Sequence, residues 1–175
     1  MLLTQSENSF VICKGFDNML YLIISAVIVA ADIITKIWAM NTLAEIGSIP
    51  VWDGVFRLTY IENRGAAFGI LQDRRWIFIV LTVLILAAVA YAAVRFRNKP
   101  RLLCLGMSFL VGGAVGNMID RIHLGYVVDF LDFCLIDFPV FNTADIFVCV
   151  GAALCAVYFI IFDKSDKEGS EKNDN

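Results

Sequence analysis

The chain has 175 residues, 59% of them hydrophobic, with a mean hydropathy of +0.76. That is far above an ordinary soluble domain, and the length allows one compact unit without a second domain. A net charge of −3 and a pI of about 5.1 leave no basic surface, so nucleic acid is not an expected partner.

Four apolar stretches carry the hydropathy. The first runs from Met19 to Met40 and is interrupted by Asp32 and Lys36. A signal peptide is the competing reading there; its place well inside the chain, its two charges and the lack of a small-x-small cleavage site argue against it. The others are predicted as helices over about 76–96, 102–122 and 141–162, each able to reach roughly 20 residues and cross about 30 Å of hydrocarbon. Four spanning helices in one membrane-embedded domain, residues 1–162, is the expectation. The polar end, 163–175, reads as a disordered tail.

Arg95, Arg97, Lys99 and Arg101 fall within seven acid-free residues between the second and third helices. By the positive-inside rule this loop is cytoplasmic, and an even number of spans puts both termini there too. The segment from Asn41 to Arg75 and the one after His123 then lie outside. The former carries four arginines mixed with Glu45, Asp53, Glu62 and Asp73. It also reads partly as β structure: Asp53-Gly54 is a two-residue hairpin signal, and Phe56, Leu58 and Tyr60 alternate with Arg57, Thr59 and Ile61. An ordinary connecting loop is the alternative.

Polar groups retained in hydrocarbon are costly, so those within or beside the spans are functional candidates. On the first helix Asp32, Thr35 and Lys36 share a face; on the third, Gly113, Asn117, Asp120 and Arg121 do. Gly112 and Gly116 form a small-xxx-small pair for close helix approach. Taken singly these residues have structural explanations: an Asp120–Arg121 pair, an asparagine bonded across helices, a lysine reaching for the interface. Asp129 and Asp145 are a stronger pair. Asp129 lies just beyond the third helix, and Asp145 follows Asn142, an N-cap candidate, in the first turn of the fourth, where the helix dipole favours a carboxylate. Two carboxylates in a partly dry site titrate as a pair and retain one proton near neutrality, enough to hydrolyse a peptide without metal or covalent nucleophile. A capping role for Asp145 and a surface role for Asp129 is the alternative. The five cysteines, Cys13, Cys104, Cys134, Cys149 and Cys155, form no Cys-x-x-Cys pair, and with the single His123 they give no zinc pattern.

Five motifs in order complete the reading: Asp32-Ile33-Ile34-Thr35-Lys36, Asn63-Arg64-Gly65-Ala66-Ala67-Phe68-Gly69, Gly112 to Arg121, Val127-Val128-Asp129-Phe130, and Phe141-Asn142-Thr143-Ala144-Asp145. Together they resemble bacterial lipoprotein signal peptidase, signal peptidase II, from about residue 20 to 162. The resemblance implies an all-α integral membrane fold of four helices with a small extracytoplasmic β-cradle between helices 1 and 2. It implies removal of signal peptides from diacylglyceryl-modified prolipoproteins, cut on the N-terminal side of the lipid-bearing cysteine, in the bacterial cytoplasmic membrane. By resemblance Asp129 and Asp145 are the catalytic dyad, Asn63 and Arg121 hold substrate, and Asp32, Lys36, Gly65, Asn117, Asp120 and Asn142 shape the site. No metal or cofactor is expected; membrane lipids and globomycin-type inhibitors are expected partners, and one chain holds every part needed. Two features depart from the family pattern: Ile33 stands where a glutamine is common, and the residues before the first helix are longer than usual. A small ion-coupled transporter, a Mg²⁺-dependent phosphotransferase and a purely structural membrane subunit are the competing classes. The absence of an internal repeat and the gathering of acids toward one end count against the transporter.

Overall fold

The computed structural model describes residues 4–66, 70–95, 100–136 and 138–171, with side chains from 19 to 160 apart from 94 and 95. Ala67, Phe68 and Gly69 of the second motif, residues 96–99 of the basic loop and 172–175 of the tail lie outside the described residues.

In chain order the elements are α1 (Thr4–Ile46), β1 (Ser48–Trp52), β2 (Phe56–Asn63), α2 (Arg75–Arg95), α3 (Arg101–His123), β3 (Val127–Phe133) and α4 (Thr143–Glu171). Four segments are long and apolar enough to cross a membrane: Met19–Ile46, Arg75–Ala93, Arg101–His123 and Thr143–Ile160. α3 is the central helix, packed on α4 and α1 with α2 at its periphery. α2 is apolar all round and buries none of its span, as expected of a helix that faces lipid rather than protein.

Glycine makes the central packing possible. A β-carbon at Gly112 would stand 2.8 Å from the Ile28 side chain, and one at Gly116 would stand 2.5 Å from Asp32 Oδ2, so this ridge receives α1. Gly113 points the other way, and a β-carbon there would collide with the backbone carbonyl of Ala144 and with Val148 on α4. Between apolar helices in lipid, such close approach supplies packing and polar contacts where the hydrophobic effect does not. One such contact is Ser25 Oγ donating to the Ser108 carbonyl at 2.9 Å.

α1 continues past Met40, where the hydropathy fades, because Asn41 to Ile46 hold no helix breaker. It stops at Gly47, whose φ of 81° only glycine adopts freely and whose N–H bonds the Leu43 carbonyl at 2.7 Å. α1 also begins at Thr4 rather than near residue 19, and α4 runs to Glu171 through the polar tail expected to be disordered. Lysine and glutamate in that tail are good helix formers, and the single Gly169, at a cost of about 1 kcal/mol relative to alanine, does not interrupt the helix.

The sheet order is β1-β2-β3, antiparallel throughout. β1 and β2 form the expected hairpin, although its connection is three residues, with Trp52 opposite Phe56 and Gly54 at φ 71°. Two strands lie between helices 1 and 2 as expected; the third does not, and a three-stranded sheet beside the four helices makes the fold more than all-α. β3 comes from the α3–α4 connection, and it was hidden because Val127, Val128, Asp129 and Phe130 are all buried and therefore do not alternate. Val128 and Phe130 pack on Ala39 and Leu43 of α1, with Ile49, Leu58 and Tyr60 around them. One sheet face thus sits on the last turns of α1, and Asp129 faces the other way.

Gly113→Leu is expected to destabilise the chain by about 1–3 kcal/mol through overpacking of the α3–α4 contact. Ala88→Leu on exposed α2 is expected to stay within about 0.5 kcal/mol of wild type. Thermal unfolding in detergent reads both.

Candidate active site

All ten residues singled out above meet at the end of the bundle that carries the sheet. Asp129 reaches it from β3. Between Leu58 and Ile61 the β2–β3 register shifts by one residue, and beyond that bulge Ile61 stands opposite Asp129 and Asn63 opposite Val127. Asn63 Nδ2 donates to Asp129 Oδ2 at 2.8 Å, and its Oδ1 accepts from the Gly65 N–H at 3.0 Å. Gly65 is buried where a β-carbon would meet the Ile70 carbonyl at 2.6 Å, so the chain can turn tightly behind Asn63.

Asp145 reaches the site from the first turn of α4. Asn142 is the N-cap: its carbonyl accepts from the Ile146 N–H, and its Oδ1 accepts from the Asp145 N–H at 3.0 Å. Asp145 Oδ2 returns the bond, accepting from the Asn142 N–H at 3.2 Å, which completes a reciprocal capping box. Capping is therefore part of the role of Asp145, and its other oxygen is free for different work. Oδ1 accepts from Asn117 Nδ2 at 2.8 Å.

Asn142 also links the two aspartates. It is fully buried, and its Nδ2 donates to Asp129 Oδ1 at 2.6 Å and to Asn117 Oδ1 at 3.1 Å. Behind it lies Lys36, 1% exposed, whose ammonium meets Asp32 Oδ2 at 2.7 Å, Asp120 Oδ2 at 2.9 Å and Asn117 Oδ1 at 2.9 Å. Asp32 Oδ2 has no hydrogen bond of ideal geometry, so its contact with Lys36 is best described as an ion pair. Asp32 Oδ1 accepts from the Ala144 N–H of α4 at 2.9 Å, and Asp120 Oδ2 from the Val128 N–H of β3 at 3.2 Å.

The simple Asp120–Arg121 pair does not form. Consecutive helix residues point about 100° apart, so Asp120 turns to Lys36 while Arg121 turns outward. The guanidinium of Arg121 lies 4.6 Å from the centre of the Phe78 ring on α2 and donates to the Gly65 carbonyl at 3.4 Å and the Asn117 carbonyl at 3.3 Å. Nor does Lys36 reach for the interface, because its partners are inside. Three participants escaped sequence reasoning. The backbone N–H of Ala144 carries no side-chain signal. Phe78 is one aromatic in a uniformly apolar helix. Thr143, whose hydroxyl lies 3.0 Å from that of Thr35, could have been flagged as a polar residue beside an N-cap.

The Asp129 carboxyl is raised from 3.8 to about 7. Burial is the main cause and the nearby Asp145 charge the second, opposed by the hydrogen bonds from Asn63 and Asn142 and by the charge of Lys36. No trio of His, Cys, Asp or Glu among the described residues is arranged to hold a metal ion. The site thus has two carboxylates joined through one amide, with one of them able to keep its proton near neutrality.

Residues 24–161 match the family described as Signal peptidase (SPase) II. The chain belongs to the signal peptidase II family. It is 42% identical over 149 residues to the lipoprotein signal peptidase of Clostridioides difficile (strain 630), covering 85% of this chain and all of that protein. It is 46% identical over 142 residues to the lipoprotein signal peptidase of Caldanaerobacter subterraneus subsp. tengcongensis, covering 81% and 95%. A bacterial membrane enzyme solved by the in meso method at 1.9 Å resolution superposes with a TM-score of 0.73 at 33% identity, covering 82% of this chain and 94% of that one. Members of the signal peptidase II family are proteases that remove signal peptides from lipoprotein precursors, and that is the activity of this chain.

Because folded Asp129 holds its proton more tightly than an unfolded carboxyl, its contribution to stability is present below about pH 4 and lost as pH rises to about 7. Asp129→Asn removes that dependence, so its Tm advantage over wild type should be largest above pH 7 and shrink toward pH 4 in detergent-based unfolding. An advantage that does not vary with pH would show that Asp129 titrates like an exposed carboxyl.

Proposed function

We propose that the chain is an aspartyl endopeptidase that cleaves diacylglyceryl-modified prolipoproteins on the N-terminal side of the lipid-bearing cysteine, with Asp129 and Asp145 as its dyad and no metal. The observation that carries this reading is the bridge through Asn142, which holds both carboxylates while the raised Asp129 carboxyl retains a proton. Asp145, in the first turn of α4 where the dipole favours negative charge, is the ionised member. It takes a proton from a water as that water attacks the scissile carbonyl, and Asp129 gives its proton to the carbonyl oxygen. As the resulting diol collapses, Asp145 passes the proton it gained to the departing amine, Asp129 takes one back from a diol hydroxyl, and the C–N bond breaks, leaving an acid and a free amine with both carboxyls as they began. Asn63, Gly65 and Arg121 line the approach and hold the substrate peptide. Asp32, Lys36, Asn117 and Asp120 fix the dyad from behind.

The lipid anchor keeps the substrate in the bilayer, so positioning in two dimensions precedes chemistry. α2 ends at Arg95 and α3 begins at Arg101, at the opposite end of α3 from β3, and the sequence between them is basic, which supports cytoplasmic termini and a site near the outer face of the bacterial cytoplasmic membrane. A single chain contains every group in the scheme, which supports a functional monomer, and globomycin-type cyclic peptides are expected to compete for the same cleft.

In a gel-shift assay with a diacylated prolipoprotein, Asp129→Asn and Asp145→Asn should each lower cleavage by about 10²–10⁴-fold or more, and EDTA should leave the wild type active. Substantial turnover by either variant would remove the dyad, and chelator sensitivity would require a metal. Wild-type cleavage should fall as pH rises past about 7, when Asp129 gives up its proton. Asn63→Ala removes a bond that favours the ionised form and should move that limb to higher pH.

A further inference from the structure

An apolar groove of about 460 Å³ runs between the first turns of α4 and the connection that leads into it. Its floor is Ile146, Cys149 and Val150, which lie on one face of α4 within the spanning segment Thr143–Ile160. Its wall is Phe133, Phe138 and Phe141. The wall is held in place: Phe133 and Phe141 stack at 5.8 Å, Phe138 meets Phe141 edge-on at 5.6 Å, and Leu131 and Phe141 exchange backbone hydrogen bonds of 2.8 and 3.0 Å. Asp145 also borders the groove, although its carboxylate oxygens turn to Asn117 and to the Asn142 backbone. The groove therefore begins beside Asp145 and presents only apolar surface.

Three kinds of occupant could start at the dyad and continue into the bilayer. A helical signal peptide is about 10–12 Å across with its side chains, so a single turn would take up roughly 400–600 Å³ and a groove of about 460 Å³ holds no more than that. An extended peptide would bring N–H and C=O groups against a wall that offers them no partner, at a cost of several kcal/mol per unmatched group in hydrocarbon. An acyl chain is narrow and has no polar group to satisfy. Free membrane lipid has the same chemistry, and burial alone does not favour either source, since lipid is already apolar. A chain tethered to the residue being cleaved has the advantage of effective concentration and gains the dispersion contacts of a preformed aromatic wall.

We infer that this groove is a subsite for one acyl chain of the lipid-bearing cysteine, walled by the β3–α4 connection. The inference rests on the proposed reading of the substrate and adds an orientation to it. The lipid-bearing residue, which supplies the departing amine, lies on the α4 side of the dyad, and the signal peptide leaves toward Asn63, Gly65 and Arg121. The connection around Phe138 then acts as a selector for chain length, which a purely structural loop would not.

The test uses prolipoproteins that carry either two palmitoyl or two hexanoyl chains, and one whose palmitoyl chain ends in a photoactivatable diazirine. Cys149→Trp and Val150→Trp fill the groove. Each should lower the ratio of kcat/KM for the long-chain over the short-chain substrate by about threefold or more, as the dispersion contacts with the aromatic wall are lost. In the intact wild-type protein, the diazirine chain should label Phe133–Phe141 and Ile146–Val150, and this readout does not depend on either variant folding. An unchanged ratio in well-folded variants would overturn the subsite. So would labelling confined to other helices, or equal labelling of these residues by a diazirine phospholipid with substrate present, which would mean that bulk lipid fills the groove. Absence of cleavage by wild type would instead defeat the proposed function, and the labelling pattern would still report on the groove.

Discussion

The ammonium of Lys36 is the point to which the rest of the site is referenced. It has three donors and meets three acceptors, Asp32, Asp120 and Asn117, inside a bundle whose surroundings are hydrocarbon. A charge there is tolerable only when paired and hydrogen-bonded, and losing one partner leaves an uncompensated buried ion at a cost of about 3–5 kcal/mol. Each acceptor passes the constraint on. Asp32 holds the Ala144 N–H and so the start of α4; Asp120 holds the Val128 N–H and so β3; Asn117 holds Asp145 itself. The two catalytic candidates sit on different elements, and both elements are tied to one atom of α1.

The same network decides which way the amides face. Asn117 Oδ1 is claimed by Lys36 and by Asn142, so its Nδ2 must turn to Asp145. Asn142 Oδ1 is claimed by the Asp145 N–H, so its Nδ2 is left for Asp129 and Asn117. Orientation of this kind follows from donor and acceptor logic alone. In a low-dielectric site such linked bonds reinforce one another, and they fix the positions of both carboxyl groups. Glycine makes the network reachable: without the bare backbone at Gly116, Asp32 could not lie against α3, and without Gly113 the start of α4 could not come near Asn117.

Much of this could be read from the residues. The charge-free run from Trp76 to Val94 and the spacing of Asp32 and Lys36 specify helices and a polar face, and Asn142 followed by Asp145 specifies a cap. What could not be read depends on tertiary partners. Val127 to Phe130 form a strand only because α1 covers one face and the site covers the other, so burial on both sides erased the alternation that marks a strand. Asp120 and Arg121 are neighbours in sequence and part in space because a helix turns between them. The hub role of Asn142 follows from β3 and α3 arriving beside it, and nothing local signals either. The end of α1 at Gly47 was legible in principle, since a glycine just past the last apolar turn can take the left-handed conformation that caps a helix, whereas fading hydropathy does not end one.

The claim on which the account turns is that Asp129 keeps a proton near neutrality under the influence of burial and of Asp145. Isotope-edited infrared titration of the resting enzyme in detergent measures it directly, with the protonated carboxyl band assigned by its loss in Asp129→Asn. The account predicts a band that titrates near pH 7 in wild type. In Asp145→Asn it should titrate lower yet stay above 3.8, because burial is the larger cause. A band that has already vanished by about pH 5, or one that Asp145→Asn leaves unmoved, would contradict a coupled dyad.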